Sequence, residues 1–152
     1  MKNWKIIGII LIVILATVAI SGCIGDDSSA EPVITSDDIT NISENGTYST
    51  KEDVGAYIIK YHKLPSNYMT KDEARALGWH GGSLDSYIPG MAIGGDRFTN
   101  RQEVLPTGHT YVECDINTIG SDTRGAERIV YANDTYDVYY TSDHYETFEK
   151  LN

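Results

Sequence analysis

A chain of 152 residues with a formal net charge of -10 has room for one small globular domain, and its acidity is the wrong sign for a general nucleic-acid binder. It has 2 cysteines, and the 4 histidines, His62, His80, His109 and His144, are scattered, so neither a disulfide framework nor a zinc cluster holds it together. The fold must rest on a hydrophobic core, and any grip on a polyanion must come from a local group of cations.

Lys2 and Lys5 precede an apolar run from Ile6 to Ile20, followed by Ser21, Gly22 and Cys23. A basic start, an apolar run and small residues at its end follow the grammar of a secretory leader. The run is shorter than the roughly 20 residues of a comfortable membrane helix. "ISGC" resembles a lipobox, which makes 1–22 a lipoprotein-type signal peptide and Cys23 the lipidated first residue of the mature chain. An uncleaved N-terminal anchor is the alternative. Both readings place the remainder outside a prokaryotic membrane, as a cell-surface lipoprotein or as a secreted protein once the tether is cut. With Cys23 lipidated, Cys114 has no disulfide partner.

Residues 23–48 read as an acidic, Ser/Thr/Asn-rich tether, carrying Asp26, Asp27, Glu31, Asp37, Asp38 and Glu44 and no base. Asn41, Asn45 and Asn133 each begin an Asn-x-Ser/Thr acceptor site, usable if the host glycosylates exported proteins. The globular domain is expected over 49–152.

Ser49 followed by Glu52 has capping-box form, and Val54, Tyr57, Ile58 and Tyr61 recur at helical spacing until Pro65. Thr70 and Glu73 repeat the box ahead of Ala74, Ala76 and Leu77, with Gly78 as a stop. Residues 78–90 are turn-rich, with one helical turn at Leu84–Tyr87. Beyond Gly90, "MAIGGDRFTN", "TYVECDI", "ERIVY", "TYDVYYT" and "ETFEKL" are short aromatic and β-branched segments divided by turn residues, the pattern of an antiparallel meander. Helices first and strands afterwards give an α+β class, with the helices on one face of the sheet.

Alternation then assigns faces. Val112, Cys114 and Ile116 share the core side, and Tyr111, Glu113 and Asp115 the open side. Ile129 and Tyr131 suit the core, which turns Arg128 to the open side, with Arg124 in the preceding turn. Cys114 reads as a small buried hydrophobe.

"YHKLPSNYMTKDEARALGW" (61–79), "IGGDRFTNR" (93–101), "ECDIN" (113–117) and "SDHYETF" (142–148) together resemble the barnase-like secreted microbial ribonucleases, in order and over the whole domain. The resemblance implies N-terminal helices packed on a five-stranded antiparallel sheet. It implies Glu113 as general base and His144 as general acid, with Arg128, Arg124 and Lys71 around the scissile phosphate. It places Tyr145 beside the acid against substrate, and Phe98, Thr99, Asn100 and Arg101 at the loop and wall that read the base.

That chemistry needs those residue types. The 2′-hydroxyl of RNA attacks the adjacent phosphorus if a base takes its proton and an acid protonates the leaving 5′-oxygen. Fixed cations then stabilise charge building on the non-bridging oxygens. No metal and no cofactor is called for, a 2′,3′-cyclic phosphate is the first product, and DNA lacks the nucleophile. One departure bears on specificity. Relatives carry Glu after the base-loop Arg, whereas here the position is Gln102, an amide that cannot supply the charge-assisted pair a carboxylate makes with two guanine N–H groups. Glu103, one place on, is a possible substitute. The same resemblance implies a barstar-like inhibitor protein as a partner, and a monomeric state is the expectation for the chain itself. The competing class is a catalytically weak RNA- or protein-binding module at the cell surface, for which a paired acid and base would have no purpose.

Overall fold

Packed structure begins inside the stretch read as a tether. The computed structural model describes residues 33–152, and in it Ser36–Asn41 form a first helix, α1. Thr35 caps it, with the Asp38 carboxylate accepting from the Thr35 backbone N–H at 2.8 Å. None of the six residues of α1 is itself buried. Its anchors are the flanking Ile34 and Ile42, which are 4% and 5% exposed and sit in the main core. The Ile34 N–H also donates to the Leu151 carbonyl at 3.1 Å. The expected tether is therefore corrected over 33–48: two isolated anchors leave no periodicity to read. The expected leader over 1–22, Cys23 and the start of the tether lie outside the described residues. Ile34→Ala is expected to lower stability by about 2–5 kcal/mol, the usual range for truncating a buried aliphatic side chain. A urea unfolding midpoint equal to that of the parent chain would contradict this placement.

The second helix, α2, spans Lys51–Tyr61. Its cap is Thr50, whose hydroxyl accepts from the Asp53 N–H at 3.2 Å, one residue later than the Ser49 box expected. Val54, Ala56, Tyr57 and Ile58 bury one face against Cys114, Ile116, Ile129, Tyr131 and Val138. Gly55 is disfavoured in mid-helix, but a Cβ there would stand 2.3 Å from Ile34 Cδ1. The small residue makes room for the α1 anchor.

Next come a two-residue strand, β1 (Tyr68–Met69), and a short helix, α3 (Lys71–Ala76), whose Thr70–Glu73 capping box is fully formed. The predicted turn near Leu84 is present, with the Tyr87 and Ile88 N–H groups both donating to the Leu84 carbonyl. The remaining strands are β2 (Ala92–Phe98), β3 (Tyr111–Asp115), β4 (Arg128–Ala132), β5 (Val138–Thr141) and β6 (Glu149–Lys150). They pair in sequence order, and β2 to β6 form the expected five-stranded antiparallel meander. The sheet nevertheless has six strands, because β1 adds to β2 in parallel, with Tyr68 opposite Ala92 and Met69 opposite Ile93. A two-residue strand carries too little pattern to announce itself.

Two features of the sheet position the site. In β2 the register slips at Gly95, so that Gly94 faces Cys114 while Asp96 faces Glu113. Such a bulge re-aims the side chains beyond it. The face away from α2, expected to be open, is half covered by a second cluster of Leu105, Tyr111, Val130, Ala132 and Tyr139, flanked by Phe98, Tyr145 and Phe148. Tyr111 is buried there, not open, because the chain between β2 and β3 folds back over it. Its hydroxyl donates to the Pro106 carbonyl at 2.8 Å.

Candidate active site

Glu113 sits in the middle of β3, directed away from α2, with its side chain 12% exposed. Both of its oxygens are engaged. Lys71 Nζ donates to Oε1 at 2.6 Å and the Tyr145 hydroxyl donates to Oε2 at 2.7 Å. The capping box places Lys71 in the first turn of α3, where its backbone N–H donates to Asp96 at 3.0 Å. The β2 bulge thus brings Asp96 beside Glu113 and lets it hold the lysine's backbone.

Beneath the pair lies Asp115, which is 2% exposed and accepts a two-pronged contact from Arg124, with Nε and Nη2 both at 2.7 Å. That contact holds the Arg124 guanidinium above its ordinary pKa. Arg128 Nε stands 3.0 Å from the same carboxylate, an ion pair off the line of a good hydrogen bond. Its Nη1 and Nη2 donate to the carbonyls of Arg124, Gly125 and Glu127. Arg128 lies on the predicted side of the sheet but is 2% exposed, a buried member and not an open one. A buried charge is retained only when its partners satisfy it, and Asp115 does so for two guanidinium groups. Asp115 was read only as an open-face residue, and its partners lie in a different turn and strand. Cys114, beside it, is a buried thiol pushed up in pKa chiefly by that burial, as expected for an inert side chain.

His144, the expected acid, arrives on the loop between β5 and β6. His144 and Tyr145 take left-handed backbone angles, φ 58 and 75, which L-residues adopt at a cost. Asp143 holds the loop in that shape. Its carboxylate accepts from the hydroxyls of Thr141 and Thr147 and from the N–H groups of Glu146 and Thr147. These donors, the Thr147 hydroxyl first, pull its pKa down to about 2. The anchor is complete above the ordinary value of 3.8 and is lost only as pH falls through about 2. The His144 N–H donates to the Ala126 carbonyl, tying the loop to the turn that carries Arg124. The His144 ring is exposed and its centroid lies 4.7 Å from that of Tyr145. Tyr145 thus meets both the Glu113 carboxylate and the His144 ring. Burial, then the Glu113 carboxylate, raise the Tyr145 phenol well above its ordinary pKa, against the opposing Arg128 charge, so it remains a donor.

Beyond His144 opens a pocket of about 350 Å³ lined by Phe98, Thr99, Asn100, Arg101, Gln102, Val104, His144, Tyr145 and Glu146. All the residues expected to read the base are therefore together and next to the expected acid. Phe98 and Tyr145 rings, 5.1 Å apart, make an aromatic wall. Asn100 turns inward: its amide donates to the Leu105 carbonyl and accepts from the Leu105 N–H, bracing the loop. Glu103, at φ 53, lines a separate groove on the other side of the loop.

A family model for ribonuclease matches residues 51–152. The chain belongs to the ribonuclease family. This ribonuclease is 38% identical to the ribonuclease of Bacillus intermedius over 154 residues, covering 91% of this chain and 92% of that one. It is 46% identical to the ribonuclease of Heyndrickxia coagulans over 107 residues, 68% of this chain and 96% of the relative. A shorter stretch of 57 residues, 36% of this chain and 58% of the relative, is 46% identical to the guanyl-specific ribonuclease Sa of Kitasatospora aureofaciens. The barnase-like character read from four motifs is thus that of the family. The structure gathers Lys71 and Tyr145 on Glu113, Arg124 and Arg128 on Asp115, and the His144 ring beside Tyr145. Asp115, Asp143 and Asp96 are the supporting residues that the sequence reading passed over. All three lie inside the quoted motifs, and that position was their only signal.

Proposed function

We propose that the enzyme cleaves single-stranded RNA by metal-free transphosphorylation. Glu113 takes the proton of the 2′-hydroxyl, the 2′-oxygen bonds to phosphorus, and the P–O5′ bond breaks as His144 protonates the leaving oxygen. The 2′,3′-cyclic phosphate so formed is hydrolysed slowly with the two roles reversed. Lys71 and Arg124 face the phosphate, while Arg128 adds its charge from below. Tyr145 holds the resting carboxylate and yields it to the substrate hydroxyl. The observation that carries this reading is the bridge from Glu113 through Tyr145 to His144, with cations on the same side of the sheet.

Base recognition belongs to the pocket beyond His144, where a base stacks on Phe98 and Tyr145 as unpaired RNA bases do on aromatic side chains. Guanine preference is part of the proposal, supported by the 46% identity over 57 residues to the guanyl-specific ribonuclease Sa. Export and lipid anchoring at Cys23 rest on the leader-like first residues. A monomeric state and control by a small barstar-like inhibitor docking over the same cationic cleft complete the proposal.

The test is incubation of the full chain with single-stranded RNA and its 2′-deoxy counterpart in excess chelator. RNA is expected to be cut with cyclic phosphate ends and DNA to stay whole. Intact RNA from pH 4 to pH 9 would favour the binding-module reading, and a requirement for added divalent ion would end the metal-free mechanism.

A further inference from the structure

The pocket beyond His144 is lined by the amide of Gln102 and the carboxylate of Glu146. Gln102, next to Arg101 on the β2–β3 connection, supplies only a neutral amide. Glu103, the neighbour able to substitute by sequence, faces the separate groove of about 260 Å³ with Arg97 and His109. Its left-handed backbone, φ 53, turns the chain so that Gln102 and Val104 line the base pocket while Glu103 does not. The one carboxylate lining that pocket is Glu146, two residues after His144 and on the acid's own loop.

Glu146 is well placed to act. Its backbone is fixed by the N–H donated to Asp143 at 3.0 Å, and the adjoining Thr147 N–H donates to the same oxygen at 2.9 Å. Its side chain is exposed and makes no hydrogen bond or ion pair among the described residues. Both oxygens therefore remain available to a ligand stacked on Phe98 and Tyr145. Guanine presents two neighbouring N–H donors, N1–H and N2–H, on the edge opposite its imidazole ring. A carboxylate accepts both in parallel, the stronger kind of hydrogen bond. Adenine and cytosine present a ring-nitrogen lone pair beside their amino group, so the same carboxylate would meet one donor and one acceptor. An amide in its place would accept one bond without charge.

We propose that Glu146 is the specificity-determining residue of this pocket, reading the N–H edge of guanine where Gln102 offers only a neutral amide. The proposal rests on reading this pocket as the base site. One segment then positions both His144 and the base reader.

The test is kcat/KM of the full chain on the dinucleoside phosphates GpA, ApA, CpA and UpA, with Glu146→Gln and Glu103→Gln alongside. The parent chain is expected to prefer GpA. In Glu146→Gln the ratio of GpA to ApA cleavage is expected to fall about 10–100-fold, the usual weight of a charge-assisted hydrogen bond. Glu103→Gln should leave the ratio at its parent value. Binding of guanosine 3′-phosphate, measured by titration, should weaken by the same factor in Glu146→Gln. An unchanged ratio, an equal fall in Glu103→Gln, or a fall common to all four substrates would overturn the assignment while leaving RNA cleavage standing. A common fall would mark an effect on His144 instead. A parent chain that cuts none of the four would remove the base-site reading itself.

Discussion

Asp115→Ala is expected to destabilise the fold by about 3–5 kcal/mol, the range for breaking a buried ion pair and leaving its partner behind. Most of the loss falls on Arg128, which is almost wholly enclosed and whose Nε has no other partner in reach. Arg124 keeps partial access to water and loses a two-pronged contact. Against a typical total of about 5–15 kcal/mol, such a variant stays folded only marginally. Its urea midpoint should drop sharply with little change in slope, the signature of altered stability without altered compactness. Asp115→Asn keeps the shape and removes the charge, and should lose nearly as much. RNA cleavage should fall in both even at low temperature, because Arg124 loses the contact that orients it. A variant as stable and as active as the parent would remove Asp115 from its place as the organiser of the cations.

The second large effect concerns the proton donor and acceptor. Glu113→Ala and His144→Ala are each expected to lower kcat by about 10²–10⁴, the usual contribution of positioned acid–base catalysis. The double variant should be little worse than either single one, since the two groups act in one step and their losses do not add. The stability effect of His144 should have the opposite sign to its catalytic effect. It occupies a left-handed backbone, φ 58, that glycine adopts freely. His144→Gly is therefore expected to raise stability by about 1 kcal/mol while abolishing most activity. Thermal unfolding and single-turnover cleavage on one preparation measure both. Loss of stability on adding the glycine would show that the imidazole itself is a structural contact.

The fold class and the face on which Glu113 lies were legible because their signals are local or periodic, whereas the nomination of His144, Arg124 and Lys71 came from the four-motif resemblance. The Thr70–Glu73 box marks the start of α3, and alternation through β3 puts Cys114 and Ile116 inward with Glu113 on the other side. What was illegible depended on distant partners. Ile34 and Ile42 look like stray apolar residues in a polar stretch until Gly55 and Leu151 receive the first of them. Asp115 looks like a solvated acid until two arginines from 9 and 13 residues downstream close over it. Glu103 and Glu146 carry the same side chain, and only the backbone turn at Glu103 decides which of them meets the pocket. The site itself departs from local rules, with two consecutive left-handed residues at His144 and Tyr145. Such departures are expected where function overrides propensity.

The Tyr145 hydroxyl on Glu113 has a mechanical meaning. The β5–β6 loop cannot swing outward without breaking the Tyr145 contact on Glu113, while Lys71 still holds the carboxylate. Under the proposed mechanism the tyrosine is a latch that keeps the imidazole close to the carboxylate until a substrate hydroxyl takes its place.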